Sequence, residues 1–201
     1  MNAMRRGLLF FAAMLLSLTA AADNRANGLL TQMSAKLKAM GEYEVAFHIS
    51  AEGFKANGGY MVSGREYCLT LGDAEVFCDG SIRYEVNKAL EEITIDNIDF
   101  TEHNILNNPV GGLDFLGDEF SSAVVSQDAD STVIRLTPVN GARSSVIEVT
   151  MNNSTRLPVR LVYRMGNDTI AVDLTSIRPA STALRRFDAK AYPGYEVIDF
   201  R

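Results

Sequence analysis

The chain has 201 residues, of which 47% are hydrophobic and 22% charged, with no Trp. That balance excludes an intrinsically disordered chain and supplies apolar side chains for one sizeable core. With 19 Lys and Arg against 25 Asp and Glu the formal net charge is −6, which argues against nucleic acid or anionic lipid head groups as the main partner, since both need clustered basic side chains.

In chain order, Arg5 and Arg6 precede an almost wholly apolar run, Leu8 to Leu18, and Ala20-Ala21-Ala22 supplies small residues before Asp23. This three-part layout predicts a secretory signal peptide at 1–22 and a mature domain at 23–201, free in the compartment to which it is exported. An apolar run of about 11 residues is too short to cross roughly 30 Å of hydrocarbon as a helix. Loss of Arg5 and Arg6 leaves 17 basic against 25 acidic residues, a net charge of −8. The absence of a Cys near the cut argues against a lipid-modified N-terminus.

Ala26, Leu29, Leu30, Met33, Leu37 and Met40 follow helical spacing, with Asp23 or Asn24 to cap the start and Gly41 to end it. Beyond Gly41 the period changes to two. Tyr43, Val45, Phe47 and Ile49 alternate with Glu44, Ala46, His48 and Ser50, and similar runs recur around Leu69, Tyr84, Leu161 and Val172. Turn signals such as Asn57-Gly58-Gly59, Asp79-Gly80 and Gly166-Asn167 separate the runs at intervals of roughly 8 to 12 residues. Crossover helices for parallel strands are missing, so the fold class expected is mainly β: one large antiparallel sheet of ten or eleven strands, which must curl or close. The interruption at His103 to Ser122 contains Asn107-Asn108-Pro109, a natural helix start, with Val110, Leu113, Leu116 and Phe120 at helical spacing beside Phe115. Whether this segment completes an ordinary core or forms a movable cover over an apolar cavity is left open by periodicity.

The chemistry-bearing residues are sparse. His48 and His103 are the only histidines and have no metal-ligand spacing, and nucleophile-elbow, dinucleotide and phosphate-loop motifs are all missing. Adjacent carboxylates at Glu91-Glu92 and Asp118-Glu119 point to opposite faces if they lie on strands. The expectation is therefore a protein that is not an enzyme and uses no cofactor and no metal. Cys68 and Cys78, on neighbouring predicted strands, are a possible disulfide in an oxidising compartment or else two buried thiols. Arg65 is either a loop cation or a polar group at a cavity mouth. Arg185, Arg186 and Arg201 read as solvated, and the glycosylation signals at Asn152, Asn153 and Asn167 are of a kind common by chance.

Several short motifs, Gly59-Tyr60-Met61-Val62, Glu66-Tyr67-Cys68-Leu69, Phe77-Cys78-Asp79-Gly80, Ile82-Arg83-Tyr84, Asn108-Pro109 and the tail from Tyr192 to Arg201, occur in an order that resembles the LolA-type periplasmic lipoprotein carriers, in particular Bacteroidetes-like Gram-negative members. The resemblance implies an incomplete antiparallel barrel of about eleven strands, with an N-terminal helix and a helical lid over its apolar concave face. It also implies a monomeric periplasmic chaperone for acylated lipoproteins, served by an inner-membrane lipoprotein-releasing ABC transporter and an outer-membrane acceptor. In such carriers an Arg-Pro pair at the rim regulates opening. Here Arg178-Pro179 comes too late, and Arg65, which lacks the Pro, is the gating candidate. Face parity nominates Phe47, Ile49, Tyr60, Leu69, Tyr84 and Ile93 from the sheet, with Leu113, Leu116 and Phe120 from the cover, as the acyl-chain cavity. The alternatives are a lipid- or lipoprotein-sensing or acceptor module of the same fold, a plain structural sheet with a filled core, and, less favoured, an exported lipid-acting enzyme.

Overall fold

In the computed structural model of the chain, residues 24–111, 113–117, 119–139 and 145–201 are described; the signal peptide expected at 1–22 lies outside them. An α-helix, α1, covers 24–40, and it ends where Gly41 adopts φ +67° and its amide bonds to the Lys38 carbonyl at 3.2 Å. Ala26, Leu30, Met33 and Leu37 form its buried stripe. That stripe is the face the helical spacing predicts.

Twelve strands follow among the described residues: β1 Tyr43–Ala51, β2 Phe54–Ser63, β3 Glu66–Leu71, β4 Ala74–Cys78, β5 Ile82–Asn87, β6 Glu92–Asn97, β7 Phe120–Gln127, β8 Ser131–Pro138, β9 Ser145–Asn152, β10 Pro158–Met165, β11 Asp168–Pro179 and β12 Glu196–Asp199. They form one open sheet in the order β12-β6-β5-β4-β3-β2-β1-β11-β10-β9-β8-β7. β1 to β11 pair antiparallel, as expected, but the terminal β12 lies parallel to β6, with Val197 opposite Ile93. A parallel partner was missed because the 16 residues between β11 and β12 return across the sheet with only one 3-10 turn, Ala189–Ala191, in place of a crossover helix.

The ladder registers divide the side chains between two faces. Val45, Tyr60, Leu69 and Val76 stand in one cross-strand row that continues into Glu85 and Thr94. The next row, Met61, Cys68, Phe77, Tyr84 and Ile95, faces the other way. The main core lies on the first, inner face under α1 and the 98–119 segment. A smaller core of Phe77, Val86 and Ile93 lies on the outer face under Phe187, Tyr192 and Tyr195. β4 is buried on both sides at Val76, Phe77 and Cys78, and there the apolar side of the sheet changes over. Tyr84 and Ile93 therefore belong to the outer face and not to the expected cavity. Period-two alternation defines a face but not which side of the sheet it joins.

Cys68 and Cys78 are both free thiols. Cys68 pairs with Phe77 and Cys78 with Tyr67, so the two cysteines are offset by one position and project from opposite faces, which excludes the disulfide geometrically. Burial pushes the Cys78 thiol pKa up.

The returning C-terminal strap is fastened by charge as well as aromatic stacking. Phe187 lies parallel to Tyr84, with ring centroids 4.3 Å apart, and parallel to Tyr192 at 5.9 Å. The buried carboxylate of Glu75 accepts from Arg185 Nη2 at 2.9 Å and Tyr192 Oη at 2.9 Å, and pairs with Lys88 Nζ at 3.1 Å. Arg186 pairs with Glu66 at 2.7 Å. Arg185 and Arg186 are thus strap anchors, not merely solvated side chains. Burial pushes the Glu75 carboxyl pKa up, but the hydrogen bonds from Arg185, Lys88 and Tyr192 outweigh it and hold it below the ordinary value. The strap's stabilisation is therefore present above the ordinary carboxylate pKa and is lost as pH falls through the lowered one. Tyr192 and Phe187 should show faster acid-side release than the inner core, seen as loss of ring-current-shifted NMR signals at a pH where α1 stays folded; simultaneous loss of both would contradict the assignment.

Packing at β2 depends on one glycine. A Cβ on Gly58 would sit 2.5 Å from Phe47 Cζ and 2.8 Å from the Thr70 carbonyl oxygen, and the Phe47 ring is buried. The ring lies flat over β2 only because Gly58 has no side chain. Gly58→Ala should cost about 1–3 kcal/mol by overpacking, lowering Tm by roughly 2–10 °C for a domain of this size; an unchanged melting curve would show that the ring moves aside freely.

Candidate functional site

The inner face is closed by two different kinds of cover. α1 crosses from β7, where Ser122 Oγ donates to Asn27 Oδ1 at 2.8 Å, towards the β1–β2 end. Between β6 and β7 the 98–119 segment covers the rest, and among its described residues there is no helix, only turns and coil. This corrects the expected helical lid. The reason lies in Asn108, whose carboxamide is fully buried and turned back on the chain. Its Nδ2 donates to the Phe100 carbonyl at 3.1 Å and the Glu102 carbonyl at 2.9 Å, while its Oδ1 accepts from Gly111 N at 3.1 Å. A Cβ on Gly111 would come within 2.6 Å of that Nδ2. The Asn-Pro pair thus starts one capped turn, and the Gly-rich sequence after it is too poor a helix former to propagate.

Side chains from this segment fill the space a ligand would need. Ile105, Leu113 and Phe115 are buried in the main core with Phe47, Ile49, Tyr60 and Leu69. Of the residues nominated from the sequence, those four sheet positions and Leu113 are brought together on the inner face. Tyr84 and Ile93 are not, being on the outer face. Leu116 is 41% exposed on the outside of the segment, and Phe120 is the first residue of β7, partly buried at the segment's end. Ile105 and Tyr163 complete the inner cluster and were missed: Ile105 is hidden among Asn and His in sequence, with no period to mark it.

Four tyrosines give the inner face a few polar atoms. Tyr43 and Tyr60 rings meet edge to face, with centroids 6.5 Å apart, and Tyr67 Oη donates to the Asn107 carbonyl at 3.1 Å, joining sheet to cover. Burial, then the nearby Asp114 carboxylate, pushes the Tyr43 pKa up to about 12. Burial raises Tyr60, Tyr67 and Tyr163 as well, so all four stay neutral. Among the described residues Tyr60 Oη has no hydrogen-bond partner.

One end of the covered space opens as a mainly apolar groove of about 330 Å³ lined by Leu37, Tyr43, Val62, Val110 and Leu113. Across it Lys38 Nζ of α1 pairs with Asp114 Oδ2 of the segment at 3.3 Å. Arg65, in the β2–β3 turn, places its guanidinium carbon 4.3 Å from the centroid of the Phe100 ring. Both cations therefore touch the cover, Lys38 by charge and Arg65 by stacking on a π face.

No family model matches the chain, and no curated protein matches it. Solved structures do. An uncharacterized conserved protein from Thermus thermophilus superposes with TM-score 0.56 at 6% identity, covering 84% of this chain and 98% of that one. This likeness shows a shared fold. Lipoprotein LppX from Mycobacterium tuberculosis matches with TM-score 0.45, at 12% identity over 80% of this chain and 98% of that one. A LolA superfamily protein from Nitrosomonas europaea is also among the neighbours, with TM-score 0.35, at 9% identity over 80% of this chain and 96% of that one.

Because Asn108 alone ties three backbone groups of the cover, Asn108→Ala should leave buried donors and acceptors unpaired at about 1–3 kcal/mol. Amide hydrogen exchange in residues 100–111 should accelerate while β1, β2 and β11 keep their protection. Unchanged exchange in the segment would remove Asn108 as its organiser.

Proposed function

We propose that the protein is a periplasmic carrier that binds acyl chains on the inner face of its sheet, without bond chemistry, and moves lipoproteins between membranes. The observation that carries this reading is that the part of the apolar face left open by α1 is closed by an irregular segment, plugged with Ile105, Leu113 and Phe115, in place of a second sheet or a further regular helix. A segment whose side-chain ties to the sheet and α1 include an exposed ion pair, a cation–π contact and the Tyr67 hydrogen bond to Asn107 can leave without dismantling the sheet. The sequence resemblance to LolA-type carriers points the same way. Acylated lipoproteins, a releasing transporter and an outer-membrane acceptor are the partners proposed on that resemblance, with the chain acting as a monomer.

The energy scale suits a carrier. At about 0.8 kcal/mol per buried methylene, an acyl chain of about 16 carbons gains on the order of 12 kcal/mol if fully sheltered. The cover's own apolar side chains must leave the same sites, and returning them on release offsets most of that gain. Binding and release then differ by a small balance of similar contacts. In this reading Arg65 and the Lys38–Asp114 pair hold the closed state.

The mature protein should bind a diacylated Cys peptide one to one by native mass spectrometry and ignore the unacylated peptide. Lys38→Glu, which replaces attraction with repulsion at Asp114, should tighten apparent binding by up to about fivefold, the limit set by exposed ion pairs of roughly 0.2–1 kcal/mol. Failure to bind the acylated peptide in both forms would reject the carrier reading and favour a filled structural core.

A further inference from the structure

Two hydroxyls on the inner face are buried without a hydrogen bond. Tyr60 is 4% exposed, and among the described residues neither its Oη nor that of Tyr163 has a partner. The other two inner-face phenols are accounted for. Tyr67 Oη donates to the Asn107 carbonyl, and Tyr43 borders the groove of about 330 Å³ crossed by the Lys38–Asp114 pair. Tyr60 is the next ring inward from that groove, meeting Tyr43 edge to face and with its centroid 6.2 Å from that of Phe47. Tyr163 Oη faces the backbone of Ile105 in the cover, so the unanswered donor nearest the groove is Tyr60.

An O–H buried away from water and left unpaired is costly, and folded proteins almost always supply its partner. Tyr60 does not relieve the cost by ionising. Burial raises its pKa well above the ordinary value, and the ionisable groups acting on it among the described residues are the neutral phenols of Tyr43 and Tyr163. Tyr60 therefore offers one neutral donor to a space otherwise walled by Phe47, Ile49, Leu69 and Leu113. A carboxylate would be stripped of water there with no cation among those groups to face it. An amide would bring an N–H that needs an acceptor of its own. An ester carbonyl brings an acceptor and no donor, which is what the hydroxyl lacks.

We propose that Tyr60 determines specificity on the inner face: its hydroxyl donates to the ester carbonyl of an acyl chain, so the site selects ester-linked acyl groups over hydrocarbon of the same length. This rests on the carrier reading above. There, acyl methylenes replace the side chains of the cover at similar cost, and apolar contact alone leaves binding nearly balanced. The hydrogen bond is not balanced in that way. The closed, empty protein leaves Tyr60 Oη unpaired, and the loaded protein pairs it. The same bond sets how deep the ligand sits, because an acyl group entering past Tyr43 meets Tyr60 with its carbonyl while its chain takes the places of Ile105, Leu113 and Phe115.

The test titrates the mature protein and its Tyr60→Phe variant, by native mass spectrometry, with two Cys peptides that carry the same pair of chains, linked as esters in one and as ethers in the other. The wild type should bind the ester about five- to tenfold more tightly, a difference of roughly 1–1.4 kcal/mol, and Tyr60→Phe should bind the two equally. Without ligand, Tyr60→Phe should melt about 2–4 °C higher, since it removes an unpaired buried hydroxyl and keeps the ring. Equal binding of ester and ether by the wild type would overturn the proposal and leave the carrier reading standing, whereas binding of neither would overturn both. An ester preference that survives in Tyr60→Phe would also overturn it, by placing the recognition elsewhere. So would a lower melting temperature for Tyr60→Phe, which would show that the hydroxyl already has a partner such as a buried water.

Discussion

The structure depends on how the apolar inner face of the sheet is kept from water. A twelve-stranded sheet cannot bury both faces of itself, and this one hands its apolar side over at β4, where Val76, Phe77 and Cys78 are covered on both sides. Everything else is a cover for one side or the other: α1 and the 98–119 segment inside, the C-terminal strap outside. The two covers are built from different chemistry. The strap is locked by stacked rings and a buried carboxylate with three partners, whereas the inner segment relies on inserted aliphatic side chains and the Asn108 carboxamide.

That difference is what gives the fold a functional direction. Stacked rings over Tyr84 and hydrogen bonds to Glu75 are specific and short, so the outer face is fixed. Apolar insertion is less directional, because one aliphatic chain replaces another at similar cost. A face plugged by Ile105 and Leu113 is chemically matched to hydrocarbon.

Much of the sheet was legible from its residues. Period two marked β1 cleanly, Gly41 marked the end of α1, and the turn dipeptides separated the hairpins. What was not legible follows from the limits of those signals. Alternation in β5 revealed a stripe of Ile82, Tyr84 and Val86 but not that the strap, distant in sequence, would make the outer side the dry one. Helical spacing from Val110 to Phe120 was overridden by a buried carboxamide and weak propensity, and Phe120 was claimed by β7. Cys68 and Cys78 looked bridgeable until the register set them on opposite faces. Ile105 carried no local signal, since its burial is imposed by the sheet beneath it.

The central claim is that the 98–119 segment must lift for the inner face to take a ligand. The direct measurement joins α1 to the segment with a short bis-maleimide between cysteines placed at Lys38 and Asp114, in a background with Cys68→Ser and Cys78→Ala. Uptake of a diacylated Cys peptide should be lost in the cross-linked protein and kept in the same variant left unlinked. Equal uptake by the two would contradict the account.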